Sequence, residues 1–330
     1  MRKLSIGIAW TGDNTEQVIR DAKVADEAGV DSLFVAETWG HDAFTLLTLL
    51  ARETRRIKLG TAIVNIYSRS PGALAQHFAT LDQLSGGRML IGLGTSGPNV
   101  IEHFHGVKFE KPFTRTREYV EIINMLLRQE KLDYAGDLFK LARGFTLRFA
   151  PVRPHIPIWI ASITPKSVQQ TAAIADGWLP IFLPKERWKE QLGLFADAVR
   201  AAGRKPEDVL VRCPYSVTVT DNPESAAARR RGTAAFYIAR MGNFYYEHFV
   251  RMGYAEAADA VRKAWADGGS AAGAAAVPAE LVDQLGMTGD VATCCAALDE
   301  AAAAGVSLLS VAVTERDPGE RAAIYRALVG

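Results

Sequence analysis

Three short stretches of the chain gather residue types that could do chemistry. Gly92-Leu93-Gly94-Thr95-Ser96-Gly97 follows an apolar run and matches GxGxxG, a pattern whose bare backbone can approach a phosphate. Thr164-Pro165-Lys166-Ser167 follows another apolar run. A helix starting there would offer unpaired N–H groups, the positive end of a dipole, hydroxyls and an ammonium, which together make an anion site. Glu37 closes a third run, in Glu37-Thr38-Trp39-Gly40-His41, where a carboxylate could act as general acid or base. Asn65 stands just past the next run.

Each stretch has a plainer reading. The dinucleotide form of GxGxxG opens its own βαβ unit with a helix directly on the pyrophosphate. Here three strand–helix units precede the motif, Pro98 follows it, and the next clear helical pattern begins well downstream, near Thr116. Two readings remain, a strand end where a planar ligand or phosphate comes close, or a tight turn. Thr164–Ser167 reads equally well as a capped helix start. Glu37 and Asn65 line a site or lie on the surface. His103 and His105 have i, i+2 spacing, but no further ligand cluster accompanies them, so no metal is expected. GxSxG, Walker A and HExxH patterns do not occur. Arg229-Arg230-Arg231 reads as a solvated helix face. Trp10, Trp39, Phe244, Tyr245 and Tyr246 either line a pocket or fill core.

The elements that must position these residues alternate. Leu4–Ala9 reads as a strand. Asn14-Thr15-Glu16-Gln17 reads as a capping box opening a helix with Val18, Ala22 and Ala25 on one face, closed by Gly29. Strand Asp31–Ala36, a helix capped by Asp42, strand Ile57–Val64 and a helix opened by Ser70-Pro71 follow. Strands at Met89–Leu93, Ile156–Ala161, Gly177–Pro180, Val209–Val219 and Val306–Val313 come next. Helices stand near Thr116–Gln129, from Thr164-Pro165, at Lys185–Ala202, at Val291–Ala304 and from Asp317-Pro318. Eight strand-like segments separated by helices predict an α/β chain with a parallel sheet, closed as a (β/α)8 TIM barrel. In such a barrel, polar residues at the C-terminal strand ends line the active site.

A plain barrel takes about 250 residues, and the chain has 330. We expect one domain over 1–330, with the surplus near 98–113, in a hairpin-like extension at 130–155, and at 221–288. The last includes the Gly268–Ala276 tract, read as a flexible surface connection. Lys and Arg number 38 against 37 Asp and Glu, a net charge of +1. That balance gives no reason to expect nucleic acid or an anionic membrane as partner. The first apolar run is too short for a signal peptide, and no apolar stretch approaches the ~18 residues of a membrane helix. Cys213, Cys294 and Cys295 are too few for a disulfide framework. A soluble, reduced, cytoplasmic protein is expected.

The stretch Lys58-Leu-Gly-Thr-Ala-Ile-Val-Asn-Ile-Tyr67-Ser-Arg-Ser-Pro71, with Ala79–Arg88 and Gly92-Leu93-Gly94, resembles the luciferase-like monooxygenase superfamily. More narrowly it resembles the branch using the deazaflavin coenzyme F420, which includes methylene-tetrahydromethanopterin reductase. Ile156–Lys166, Ala175-Asp-Gly-Trp-Leu-Pro180, Gly106–Pro112 and Thr116-Arg-Glu-Tyr119 carry the same resemblance. It implies a third-strand bulge with a non-prolyl cis peptide, here Ala62–Ile63, behind the deazaflavin. It implies a cofactor site from Glu37, Thr38, Ala62, Ile63, Asn65, Gly94, Thr95, Ser96 and Gly97. The phosphate would lie on Ala161, Ser162, Ile163, Thr164, Pro165 and Lys166. Many relatives have Asp-His where this chain has Glu37-Thr38, so the proton donor is open; Glu37 is the first candidate and His105 the second. The implied reaction is hydride transfer between C5 of F420 and an electrophilic carbon of a small organic substrate, a methylene-tetrahydropterin-like or alcohol/carbonyl compound. A homodimer is also implied. The alternatives are an FMN-dependent monooxygenase of the same superfamily and a non-catalytic flavin-binding barrel.

Overall fold

The computed structural model describes residues 1–330. The chain groups into two compact units. The first is Ser5–Ala161 with Ala173–Trp178. The second is Met1–Leu4, Ser162–Ala172 and Leu179–Gly330.

The first unit is a parallel sheet with helical crossovers. Its strands are β1 (Leu4–Ile8), β2 (Ser32–Val35), β3 (Lys58–Thr61), β4 (Val64–Asn65), β5 (Met89–Gly94), then β6 (Leu132–Ala135) and β7 (Lys140–Phe145) outside the sheet, then β8 (Ile158–Ala161) and β9 (Gly177–Leu179). The order is β9-β8-β5-β3-β2-β1, with β4 also on β5. The crossovers are α1 (Thr15–Glu27), α2 (Ala43–Glu53), α3 (Pro71–Ser85), the short α4 (Pro98–His103) and α5 (Pro112–Leu127). Strands buried on both faces read as continuous apolar runs, and Leu33, Leu59, Ile91 and Ile158 are fully buried.

Start and stop signals mostly act as the sequence predicts. Asp42 and Ser70 accept the N–H groups of Thr45 and Ala73, and Gly86 ends α3 at φ +70°. The capping box at Asn14 does not form. The Asn14 side chain instead accepts from the Thr11 N–H and donates to the Ala9 carbonyl, closing the loop before α1, while Gln17 donates to Asp21.

The predicted strand Ile57–Val64 is broken. Leu59 lies opposite Met89, yet Val64 lies opposite Leu93, so one extra residue enters on this side of the ladder. That slip is a bulge. Ala62 N–H donates to Val35 O at 2.8 Å, and Glu37 N–H to Ile63 O at 3.3 Å. The Ala62–Ile63 peptide is cis. The hairpin β6–β7 is antiparallel and is clipped to α5 by one carboxylate. Glu118, fully buried, accepts the N–H groups of Asp137, Leu138 and Phe139 at 2.6–3.3 Å.

In the second unit, β10 (Leu210–Val211) and β11 (Ser216–Val219) replace the predicted strand Val209–Val219, β13 (Leu309–Val313) shortens Val306–Val313, and β12 (Gly286–Gly289) is a strand the sequence reading does not include. β11 pairs in parallel with both β12 and β13. α6 (Pro165–Ile174) opens in this unit, and α7 (Trp188–Ala201), α12 (Val291–Ala303) and α13 (Pro318–Val329) follow the sequence. The insertion 221–288 is mostly helical: α8 (Pro223–Arg240), α9 (Asn243–Arg251), α10 (Ala255–Ala275) and α11 (Ala279–Gln284). They bury Ile238, Phe249, Val261 and Leu281 against Phe182. The Gly268–Ala276 tract is therefore not a flexible connection. It continues α10 past a break at Gly269 (φ +73°), because alanine favours helix strongly enough to resume it. Arg230 is not on a solvated face either. It is half-buried, and its Cδ would lie 2.6 Å from a Cβ on Gly286.

Candidate functional site

The C-terminal strand ends of the first unit expose small residues. Gly7, Ala9 and Ala36 are exposed, and Ala62 and Ile63 are half-buried. Small residues at these strand ends leave room for a flat partner. Gly94, buried, packs against Ile63: a Cβ there would stand 2.9 Å from Ile63 Cδ1. Gly92 has a different reason. A Cβ there would fall 1.6 Å from Thr61 O, and Thr61 Oγ1 donates to Gly92 O while accepting its N–H. The first glycine of the motif thus serves the bulge and leaves no gap for a phosphate. A helix also begins immediately after the motif, at Pro98 rather than well downstream, with Gly97 at its N-cap. Ser96 takes φ +56° in the turn, and Thr95 Oγ1 donates to its carbonyl.

Glu37 lies two residues past β2. Its Oε1 accepts from Arg69 Nη1 at 2.6 Å, and its Oε2 accepts from Arg69 Nη2 and the Ala43 N–H, both at 3.0 Å. Arg69 Nη2 also donates to Asp42 Oδ1 at 2.7 Å, and its guanidinium sits 4.9 Å from the Phe44 ring centre. Glu37 and Asp42 thereby satisfy two orphan amides of α2 at the positive end of its dipole. Burial works against the Arg69 cation, but Glu37 and Asp42 outweigh it and hold its pKa above the ordinary value. Burial likewise raises the Asp42 carboxyl, and its bonds from Thr45 with the Arg69 charge outweigh that, holding it below the usual range. His77 stacks on Phe44 at 4.5 Å, and burial, then Arg69, push its pKa down. Thr38 is exposed.

Asn65, at the end of β4, is buried. Its Oδ1 accepts the N–H groups of Tyr67 (3.0 Å) and Ser68 (2.8 Å), and its Nδ2 lies 3.2 Å from His105 Nε2. The Tyr119 hydroxyl donates to Arg69 O at 2.7 Å, fixing the backbone that carries the guanidinium. Sequence reasoning named Glu37, Asn65 and His105 but missed Arg69, Thr61 and Tyr119. Arg69 was legible in principle: it follows the third strand, and neighbouring strand ends in a parallel sheet face one another.

In the second unit, the start of α6 is self-contained. Thr164 N–H donates to Ser167 Oγ (3.0 Å), Ser167 N–H to Thr164 Oγ1 (3.3 Å), and the hydroxyls lie 2.8 Å apart. Ser162 Oγ, buried, pairs with Thr171 Oγ1 at 2.9 Å. Pro165 and Lys166 are exposed. One missed cation approaches: Arg251 Nη2 donates to Ile163 O at 3.4 Å. One turn earlier on α9, His248 is buried with Nε2 2.9 Å from Phe182 O, and burial pushes its pKa down to about 4.

The sequence model of the luciferase-like monooxygenase family matches residues 6–308. The chain belongs to that family. Among similar luciferase-like chains, a Mycobacterium tuberculosis protein provisionally named a coenzyme F420-dependent oxidoreductase is 36% identical over 88% of both chains. The 5,10-methylenetetrahydromethanopterin reductase of Archaeoglobus fulgidus is 32% identical over 86% of both. The solved coenzyme F420-dependent tetrahydromethanopterin reductase of Methanopyrus kandleri superposes with a TM-score of 0.82, covering 99% of this chain and 97% of that one at 22% identity. That likeness shows the fold: α/β, of the luciferase-like (β/α)8 class. No helix is long and apolar enough to cross a membrane.

Proposed function

We propose that the protein is an F420-dependent oxidoreductase acting on a small organic molecule. The observation that carries this is the 36% identity, over 88% of both chains, to a relative named for that cofactor. The geometry of the first unit fits the group. Gly7, Ala9 and Ala36 leave an open floor for a flat ring, and Ala62 and Ile63 stand at its bulge. When bound, the deazaflavin supplies a hydride carrier at C5.

The chain's own share is positioning and charge placement. In the first unit, Glu37, Thr38, Ala62, Ile63, Asn65, Gly94, Thr95, Ser96 and Gly97 hold the ring end. Arg69 and the Ala43 N–H hold the Glu37 carboxylate in place. His105, held by Asn65, is the second group able to face a reacting oxygen. The stretch from Ala161 at the end of β8 through Ser162, Ile163, Thr164, Pro165 and Lys166 takes an anionic group, with Lys166 as the exposed charge and the α6 dipole behind it. The substrate is a methylene-tetrahydropterin-like or an alcohol/carbonyl compound. The reading extends to a cytoplasmic homodimer; the free thiols of Cys213, Cys294 and Cys295 fit a reducing compartment.

Separate titrations of the purified protein with F420 and FMN test this. Saturable F420 binding, with FMN failing to compete at equal concentration, is the expected result. Tight FMN binding without F420 binding overturns it and favours a flavin-dependent monooxygenase.

A further inference from the structure

The hydrogen bonds around Asn65 decide which nitrogen of His105 carries its proton. Asn65 Oδ1 accepts two backbone N–H groups, from Tyr67 and Ser68, at 3.0 and 2.8 Å. A backbone N–H can only donate, so the atom facing both must be the carbonyl oxygen. The other amide atom is then the NH2 group, and it faces His105 Nε2 at 3.2 Å. An NH2 group only donates, so Nε2 accepts. The imidazole proton therefore sits on Nδ1. Nδ1 makes no hydrogen bond within the chain, and the half-buried ring is steadied edge-on by Phe104 at 4.9 Å.

The result is an imidazole with its lone pair occupied by Asn65 and one N–H left unbonded within the chain. Such a group is a hydrogen-bond donor and cannot serve as a base without losing Asn65. It is held by Asn65, two positions along the chain from Ile63. Thr38 is exposed and cannot supply an imidazole there. We infer that His105 is a fixed donor, through Nδ1–H, to a carbonyl oxygen of the bound deazaflavin, and that Asn65 is the positioning residue that sets its tautomer. The identity of the acceptor rests on the cofactor reading above; the tautomer does not.

Two measurements test this. First, 15N spectra of histidine-labelled, ligand-free protein should show His105 with a protonated Nδ1 and a bare Nε2. A proton on Nε2 overturns the inference. In Asn65→Ala, whose fold is checked by its melting curve, the His105 signals should move toward a mixture of tautomers. Second, F420 affinity should fall about fivefold in His105→Phe, the loss of one ordinary net hydrogen bond. His105→Asn, which returns an N–H donor near the Nδ1 position, should stay within twofold of the parent. Equal affinity in His105→Phe and the parent overturns the proposed contact. If the parent itself binds no F420, the cofactor reading falls and the acceptor with it, while the tautomer is judged by the ligand-free spectrum alone.

Discussion

The strand ends of the first unit and the helix start of the second hold their polar groups in opposite ways. At the strand ends Glu37, Arg69 and Asn65 are each tied to a residue far away in sequence. Arg69 reaches back 32 residues to Glu37 and 27 to Asp42, and Asn65 reaches forward 40 to His105. At the start of α6 every partner of Thr164 and Ser167 lies within four residues. The first arrangement exists only when the sheet has formed, so it is geometry delivered by the fold. The second is nearly complete in an isolated helix. A fold-dependent network can place a group to within a fraction of an ångström for chemistry, whereas a local cap leaves its exposed cation, Lys166, free to adapt to an anion.

Arg69 holds the strand-end network together. Arg69→Met leaves Glu37 and Asp42 facing each other without a cation, and Glu37 is almost fully buried. We expect a loss of about 3 kcal/mol in urea unfolding, as for removal of one partner of a buried pair, together with loss of F420 binding. A change below about 1 kcal/mol would show the network to be ornamental. Next comes acid. Burial raises the Glu118 carboxyl, but the N–H groups of Phe139, Asp137 and Leu138 and the Arg117 charge outweigh it, holding it below the ordinary 4.5. A carboxyl depressed in the folded state adds stability above its unfolded pKa and loses it as pH falls through the folded value. Protection factors of amides 137–139, corrected for the intrinsic exchange rate, should therefore fall below about pH 4.5 ahead of those in β5; a simultaneous fall would refute a local clip.

At the helix start the effects should be smaller. Thr164→Ala removes one cap and should cost about 1 kcal/mol in thermal unfolding. Lys166→Ala should change stability by less than about 0.5 kcal/mol while weakening F420 binding about fivefold. Unchanged affinity would remove Lys166 from the anion site and leave α6 a capped helix only.

This contrast also explains what could be read from the sequence. Caps at Asp42, Ser70 and Asp317 were legible because their partners sit three residues on. The alternation of strands and helices was legible because burial repeats locally. The bulge with its Ala62–Ile63 peptide was expected only through the family resemblance, because the approach of Thr61 to Gly92 is set by strand pairing and leaves no local pattern. Arg69 was visible as a residue but not as the partner of Glu37. The Asn14 box misled because the side chain had a competing partner in the preceding loop. Val209–Val219 misled because its apolar run hides the break between β10 and β11, around Arg212 and Pro214.

The approach of Thr61 to Gly92 has a genetic consequence. Every single-base change in a glycine codon that alters the residue, short of a stop, introduces a Cβ, and here any Cβ meets a carbonyl oxygen at 1.6 Å. The position is closed to drift by sterics alone. The glycine at position 92 will persist in descendants of this chain whatever small molecule they come to use, and it marks strand packing where a motif search would look for a nucleotide.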